Sequence, residues 1–140
     1  MLFPFSSEIS NNTIMEVDML NGIKSKIEAI NYTWQHKKAF LKVEKELLGY
    51  NTLRGYLHDL DKIFLKIFLD SKTVHNIHRK YSRHHEIKAK TKGDYIQMII
   101  DWECARFTKP DKPLNARETL YKFYPNLKYK IEPLLAALKL

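Results

Sequence analysis

Apolar residues recur at helical spacing from Ile23 onward. They are separated by steps of three and four residues, or by the sum of the two, which is the period of an amphipathic helix. These positions are Ile23, Ile27, Ile30, Trp34 and Leu41. Because glycine commonly follows the last turn of a helix, we predict a helix from about Ile23 to Gly49, with His36 in its second half.

The first twenty residues are rich in Ser, Asn and Thr and show no sustained apolar period. This pattern predicts an arm or a short irregular lead-in over residues 1–20, followed by one domain over residues 21–140. The chain contains no internal repeat, low-complexity segment or linker that would divide this domain.

A second apolar stripe follows Thr52, a candidate N-cap, and predicts a helix that continues to about Asp70. Its members are Leu53, Tyr56, Leu57, Leu60, Phe64 and Phe68. On one ideal helix, the adjacent residues His58 and Asp59 point away from this apolar side. Either the helix is buried on both sides, or it breaks near Asp61, which is a reasonable N-cap for a new turn.

A third clear helix is predicted to begin at Gly93 or Asp94 and to end before Pro110 and Pro113. Its apolar stripe consists of Tyr95, Met98, Ile99 and Trp102. The preceding segment, residues 71–92, is polar and predicts short helical pieces. Two shorter helices are expected at the end of the chain, over residues 115–124 and 126–138.

Composition agrees with one helical domain. The chain has 140 residues, 44% of them hydrophobic, with 4 Gly and 5 Pro, too few for the many tight turns of a β-sandwich or barrel. We therefore predict an all-α, single-domain bundle of about five to seven helices. The apolar runs are too short to cross a bilayer, and the first residues lack a signal-peptide pattern, so a cytoplasmic protein without membrane contact is expected. The single cysteine, Cys104, excludes an internal disulfide.

The chain is basic, with 24 Lys and Arg against 16 Asp and Glu and a net charge of +8. Such a balance attracts phosphate-bearing partners but does not choose between a nucleotide, a nucleic acid and an anionic membrane. Seven basic residues and one acidic residue, Glu86, lie within residues 72–92. A run of this kind is also typical of a solvated face.

Histidine and aspartate form an ordered series that suits metal binding. All six histidines fall between His36 and His85. The series is His36, the pair His58-Asp59, His75, His78, His84, His85 and then Asp101. Imidazole and carboxylate without thiolate are ligands for Mn²⁺, Fe²⁺, Co²⁺, Ni²⁺ and Zn²⁺. A helical bundle can bring such residues from separate helices together in its interior.

Several members of the series also have a purely structural explanation. Lone histidines are usually surface residues, and this interpretation is favoured for His75. Asp101 lies at the margin of the third helix's apolar stripe, where a carboxylate is costly unless a cation neutralises it. That cation is either a metal or an arginine, with Arg106 and Arg83 as the candidates.

The order His, then His-Asp, then Asp resembles that of the HD-domain superfamily of metal-dependent phosphohydrolases, an all-α fold. His36, His58, Asp59 and Asp101 occupy its four defining positions. The segment LHDLDK, residues 57–62, is similar to the core motif of that family, in which a lysine commonly follows the pair. The resemblance implies an HD-type bundle in which these four residues bind the first metal ion.

The extra histidines are similar to those of HD enzymes that hold two metals. In those enzymes two intervening histidines bind the second ion, and the aspartate of the pair bridges both. The resemblance therefore implies that Asp59 bridges, and that His84 and His85, or His78 with one of them, hold the second ion.

A closer resemblance is to the DUF5662 family of bacterial and phage proteins. The segments HRKYSRHHE and MIIDWECA resemble its histidine-rich and CDW-like segments, which follow an HDLSKF-like segment in the same order. The resemblance covers residues 32–135.

The function that this resemblance implies is hydrolysis of a phosphate ester or phosphodiester, with a small phosphate-bearing molecule, expected to be a nucleotide, as substrate. One or two divalent ions would activate water and clamp the phosphoryl oxygens. Asp59 and Lys62 are the expected catalytic residues. Lys62, Arg79 and Arg83 are the candidates for phosphate contacts; the two arginines, four residues apart, would share a helix face.

The alternative function is a basic helical protein that binds nucleic acid or another protein, with a structural metal or none. It explains the charge but leaves the order of the ligand residues to chance. An oligomer is compatible with either function, and the candidates for its packing edge near the C-terminus are Leu134, Leu135, Leu138 and Leu140.

Overall fold

The first helix, α1, spans Phe5–Leu48 and is about 66 Å long at 1.5 Å per residue. The computed structural model describes residues 5–109, 111 and 114–140, with side chains from residue 10 onward. The predicted irregular lead-in is wrong for residues 5–20, which are helical; residues 1–4 lie outside the described part. No proline and only one glycine, Gly22, interrupt α1, so nothing breaks the helix although its first half has no apolar period. The predicted division of the chain at residue 20 stays a prediction.

The side of α1 that faces the core is largely polar. Its buried residues are Thr33, His36, Lys37, Phe40, Val43 and Glu44. By contrast, Ile23, Ile27 and Trp34 of the stripe that predicted this helix are exposed. The helix itself is confirmed, but its apolar stripe does not face the core.

The segment after α1 is two helices and not one. Helix α2 spans Leu53–Leu57, and α3 spans Leu60–Phe68, with the break at His58 and Asp59. The break lies two residues before the expected position near Asp61. Thr52 is the N-cap of α2, as predicted, and its hydroxyl accepts a hydrogen bond of 2.9 Å from the backbone N–H of Gly55. The apolar stripe of this segment is exposed.

Helix α4, Ser71–Tyr81, leads through turns into α5, Lys92–Thr108. A capping box between Thr91 and Asp94 starts α5. Pro110 and Pro113, the predicted terminators, lie outside the described residues. The predicted stripe of α5 is confirmed as core: Tyr95, Met98, Ile99 and Trp102 are all buried.

The chain ends with α6, Ala116–Phe123, a 3₁₀ turn at Pro125–Leu127 and α7, Lys128–Ala137. These elements pack on one side of α5, and α1 packs on another side through Phe40 and Val43. The predicted C-terminal edge is corrected here, because all four leucines pack within the chain's own core.

The described residues form α-helices and one 3₁₀ turn, with no strand among them. The predicted all-α bundle of five to seven helices is therefore confirmed. Among the described residues, no helix combines the length and the hydropathy that a bilayer crossing requires. Helix α5 lies at the centre of the bundle, between α1 on one side and α6 with α7 on the other.

A buried carboxylate ties α1 to α2. Glu44 accepts hydrogen bonds from the backbone N–H and the hydroxyl of Thr52, both at 2.8 Å, and from the amide of Gln97 at 3.1 Å. Gly55 packs directly against this carboxylate, and a Cβ atom at position 55 would overlap it. The contact fixes α2 immediately before the His58-Asp59 break.

We predict that Gly55→Ala lowers the free energy of unfolding by about 1–3 kcal/mol, the usual effect of overpacking a buried site. Gly22→Ala is the matched control, because no atom lies within 4 Å of its added Cβ and alanine favours the helix by about 0.5–1 kcal/mol. Urea denaturation of both variants measures the difference. Equal or greater stability of Gly55→Ala would show that Glu44 does not hold α2 closely.

Candidate metal centre

Four ligand-type residues from three parts of the fold meet in the interior. His36 comes from α1, His58 and Asp59 from the break between α2 and α3, and Asp101 from α5. One ligand atom of each lies within 4.8 Å of the others. Nε2 of His36 is 2.7 Å from Oδ1 of Asp101, and Nε2 of His58 is 3.3 Å from the same oxygen. The structure thus brings together the four residues predicted for the first ion.

A second group lies against the first. It consists of His78 near the end of α4 and of His84 and His85 in the turn that follows, with ligand nitrogens again within 4.8 Å of one another. Oδ1 of Asp59 lies 3.0 Å from Nε2 of His78 and 3.5 Å from Nε2 of His84. The sequence left open which two of the three histidines belong here; in the structure all three do.

Asp59 stands between the two groups because of its backbone. Its φ of 59° and ψ of 11° place it in the left-handed region, where aspartate is among the few residues tolerated. This conformation ends α2 and starts α3 in a new direction. Adjacent residues of one helix cannot face one interior point, but across this turn both His58 and Asp59 are buried. On a single helix these two residues would point away from the apolar side, and the turn allows both to point into the interior.

Lys37 of α1 stabilises this turn by hydrogen bonds. Its buried ammonium group donates hydrogen bonds to the carbonyl oxygens of Gly55, Tyr56 and His58. The carbonyl of Gly55 also accepts from the backbone N–H of His58, and Lys37 adds a partner for the carbonyls at the end of α2. No local pattern predicts this role, because lysine on a helix is usually solvent-exposed.

The outer nitrogens of three histidines are also engaged. Nδ1 of His78 is 2.6 Å from Oδ2 of Asp61, and Nδ1 of His84 is 2.7 Å from the hydroxyl of Ser82. Nδ1 of His36 is 3.3 Å from the hydroxyl of Thr108. Such partners orient a ring so that its other nitrogen can bind a metal. Asp61, which the sequence suggested only as an N-cap, therefore orients His78.

Electrostatics favour ionised carboxylates in the cluster. Burial raises the pKa of Asp59, but the neighbouring His58 and His78 and the Lys62 ammonium outweigh it and hold that pKa well below its usual value. Burial likewise opposes ionisation of Asp101, yet His36 and His58 hold its pKa well below the ordinary range. Carboxylates in this state are the form that binds cations.

The histidines differ from one another. Burial lowers the pKa of His58 and lowers that of His85 to about 3, which favours the neutral ring, the form that ligates metals. For His78, burial is outweighed by Asp59 and Asp61, and its pKa is raised. Burial also raises the pKa of the Cys104 thiol, which is 3.2 Å from the carbonyl oxygen of Asp101.

The donor set fits a metal. Nε2 of His85 is buried without a hydrogen-bond partner among the described residues. Nε2 of His78 and Nε2 of His84 approach each other to 3.1 Å. Buried polar atoms are normally satisfied, so converging ring nitrogens without enough partners indicate room for cations between them.

A cavity of about 560 Å³ opens beside the cluster. His36, Asp59, His85 and Asp101 form its floor. Five basic residues line it: Lys62, Lys66, Lys72, Arg79 and Lys109. Of the residues predicted to contact phosphate, the structure thus places Lys62 and Arg79 here, with Lys62 3.0 Å from Oδ2 of Asp59.

Arg83, the third residue predicted to contact phosphate, does not line this cavity. Helix α4 ends at Tyr81, so Arg83 does not continue the helix face of Arg79. It lines a second cavity of about 450 Å³, which borders the ligand cluster from another side through His58, Asp59, His78 and His84. Arg83 pairs with Asp94 at 3.4 Å. The predicted shared face of the two arginines is therefore wrong.

Two further expectations concern single residues. Asp101 pairs with histidines and not with an arginine, since Arg106 pairs with Glu103 at 3.0 Å. His75 lines the larger cavity but belongs to neither ligand group.

Comparison with models of protein families, with curated proteins and with solved structures finds no match to the chain.

We predict that the metal-saturated protein holds two divalent ions and that Asp59→Ala loses both, because its carboxylate adjoins both histidine groups. His84→Ala should lose one ion, and His75→Ala should keep two. Elemental analysis after equilibration with Mn²⁺, Ni²⁺ or Zn²⁺ and desalting counts the ions.

Thermal unfolding gives a second measure. An ion at a hundredfold excess over its Kd stabilises the folded state by about 2.7 kcal/mol per site. A melting temperature that neither metal nor chelator changes, with no ions retained by the wild type, would contradict the metal centre.

Proposed function

We propose that the chain is a metal-dependent phosphohydrolase of HD type that acts on a small phosphate ester or phosphodiester, with a nucleotide as substrate. The observation that carries the proposal is the position of Asp59, one buried carboxylate between two histidine groups. A bridging carboxylate with histidines on both sides is the ligand arrangement of a two-metal hydrolytic centre.

In this proposal His36, His58, Asp59 and Asp101 hold one ion. His78, His84 and His85 would hold the other, together with Asp59. When bound, the ions supply an activated water and neutralise charge on the phosphoryl group. The mixed His and carboxylate ligands suit Mn²⁺, Fe²⁺, Co²⁺, Ni²⁺ or Zn²⁺.

The chain's own residues bind and orient the phosphate. Lys62 lies at the cluster beside Asp59, so its ammonium group adjoins the oxygens of a phosphate at the cavity floor. Arg79 offers a fork that can bind two oxygens, and its present partners are Glu86 at 2.6 Å and the Tyr124 hydroxyl at 3.0 Å. Lys72 adds positive charge where the cavity meets solvent.

Aromatic side chains on the cavity wall support a nucleotide as the substrate. Tyr32, Trp102, Phe123 and Tyr124 line it, and the rings of Trp102 and Tyr124 stack at 5.0 Å. Aromatic faces bind nucleobases by stacking, while the basic residues attract the phosphate. A cavity of about 560 Å³ falls within the size range of small-molecule sites.

The direct test is a screen of phosphate esters with each candidate metal. Nucleoside monophosphates, cyclic nucleotides and simple aryl phosphates are incubated with the protein, and phosphate or nucleoside release is measured. We expect release that requires metal and disappears in Asp59→Ala. No release from any ester by protein shown to hold two ions would contradict the proposal.

The same protein should be tested on oligonucleotides. Exposed lysines of the basic segment, including Lys80, Lys88 and Lys90, lie outside the cavity. Binding that weakens steeply with salt, in protein without hydrolytic activity, would favour the nucleic-acid-binding alternative.

We predict that Arg79→Gln lowers kcat/KM for the substrate by about tenfold or more, because a charge-assisted contact is worth about 1.5–3 kcal/mol. Arg83→Gln is the matched control and should change kcat/KM less than twofold, since Arg83 does not line the substrate cavity. Metal content should be unchanged in both. Equal losses in the two variants would place the phosphate elsewhere.

A further inference from the structure

The outer side of α1 carries apolar residues in a regular row. Ile23, Ile27 and Trp34 are 49%, 53% and 45% exposed, Leu20 precedes them, and Ile30 is half-buried between them. From Leu20 to Trp34 the spacing is three, four, three and four residues, the heptad spacing of a helix that packs along another helix. We call these five residues the α1 stripe.

The accessible surface of the chain is larger than a compact monomer needs. It measures 9613 Å² for 16.7 kDa. A folded monomer of this mass typically exposes about 7,600 Å², so the chain exposes about 2,000 Å² more. A standard protein interface removes about 800 Å² from each partner, which this excess readily supplies.

A second apolar area lies beside the stripe. Helix α3 runs next to α1, since the ammonium group of Lys66 donates to the Ala29 carbonyl at 3.1 Å and to the Thr33 hydroxyl at 2.6 Å. On α3, Phe64 and Phe68 are exposed and pack edge to face with each other. Exposed apolar areas of this extent mark interaction sites in soluble proteins.

We propose that the α1 stripe is the interface between two copies of this chain, which pair along their first helices. The heptad spacing requires a partner helix with matching spacing, and a second copy supplies it. The charges beside the stripe permit this pairing. In a parallel pair, Lys24 of one copy faces position 19, a methionine, while Lys26 donates to carbonyl oxygens of α3 in its own chain, at 3.5 Å and 3.4 Å. Along the stripe, no like charges therefore oppose each other.

This pairing accounts for the polar inner side of α1. The inner side, with His36 and Lys37, serves the metal cluster, and the outer side buries its apolar residues against the second copy. The inference is independent of the proposed function, because none of the five residues of the α1 stripe belongs to the metal centre or lines the cavity.

Sedimentation equilibrium over a range of protein concentrations tests the proposal. We expect the wild type to give about 33 kDa, twice the mass of the chain, and the double variant Ile23→Glu/Ile27→Glu to give 16.7 kDa at the same concentration. Ile14→Glu is the matched control, since Ile14 is an exposed apolar residue of α1 whose position, nine residues before Ile23, lies on the opposite side of the helix. It should remain dimeric.

Other results overturn the proposal. A wild-type chain that stays at 16.7 kDa at every concentration excludes the pairing, and so does a double variant that remains dimeric. Loss of the dimer in both the double variant and Ile14→Glu would show that the stripe is not the specific contact. A monomer that binds vesicles of phosphatidylcholine and phosphatidylglycerol through this face would assign the stripe to a lipid surface instead.

Discussion

The left-handed turn at Asp59 is the constraint on which the rest of the site depends. It lets two consecutive residues, His58 and Asp59, both direct their side chains to the same ligand group, whereas adjacent residues of one continuous helix point in different directions. Lys37 holds the turn through three carbonyl oxygens, and the contact between Glu44 and Gly55 fixes the short helix before it. Polar residues on the inner side of α1 therefore position the ligands.

This use of α1 explains how apolar surface is distributed in the fold. The main core forms around α5, whose buried stripe packs against α6 and α7. The inner side of α1 meets α5 with a smaller apolar contact and with the ligand cluster. Much of the apolar surface of α1 and α3 is left facing outward, where burial requires another molecule.

The apolar pattern predicts both a helix and its buried side only where the apolar residues face the core. The stripe of α5 and the N-cap at Thr52 were predictable because local patterns determine them. The stripes of α1 and α3 predicted helices but not their orientation, since period does not distinguish a core from an external interface. The four residues of the first ligand group were found from their order, whereas Lys37 depends on a tertiary contact with α2 that no local pattern shows.

The central claim is that the Asp59 carboxylate lies between two metal ions. A crystal of the manganese-loaded protein, measured near the manganese absorption edge, tests it directly. The account predicts two anomalous difference peaks about 3.5–4 Å apart, one on each side of the Asp59 carboxylate. A single peak away from Asp59, or no peak in the cluster, would contradict it.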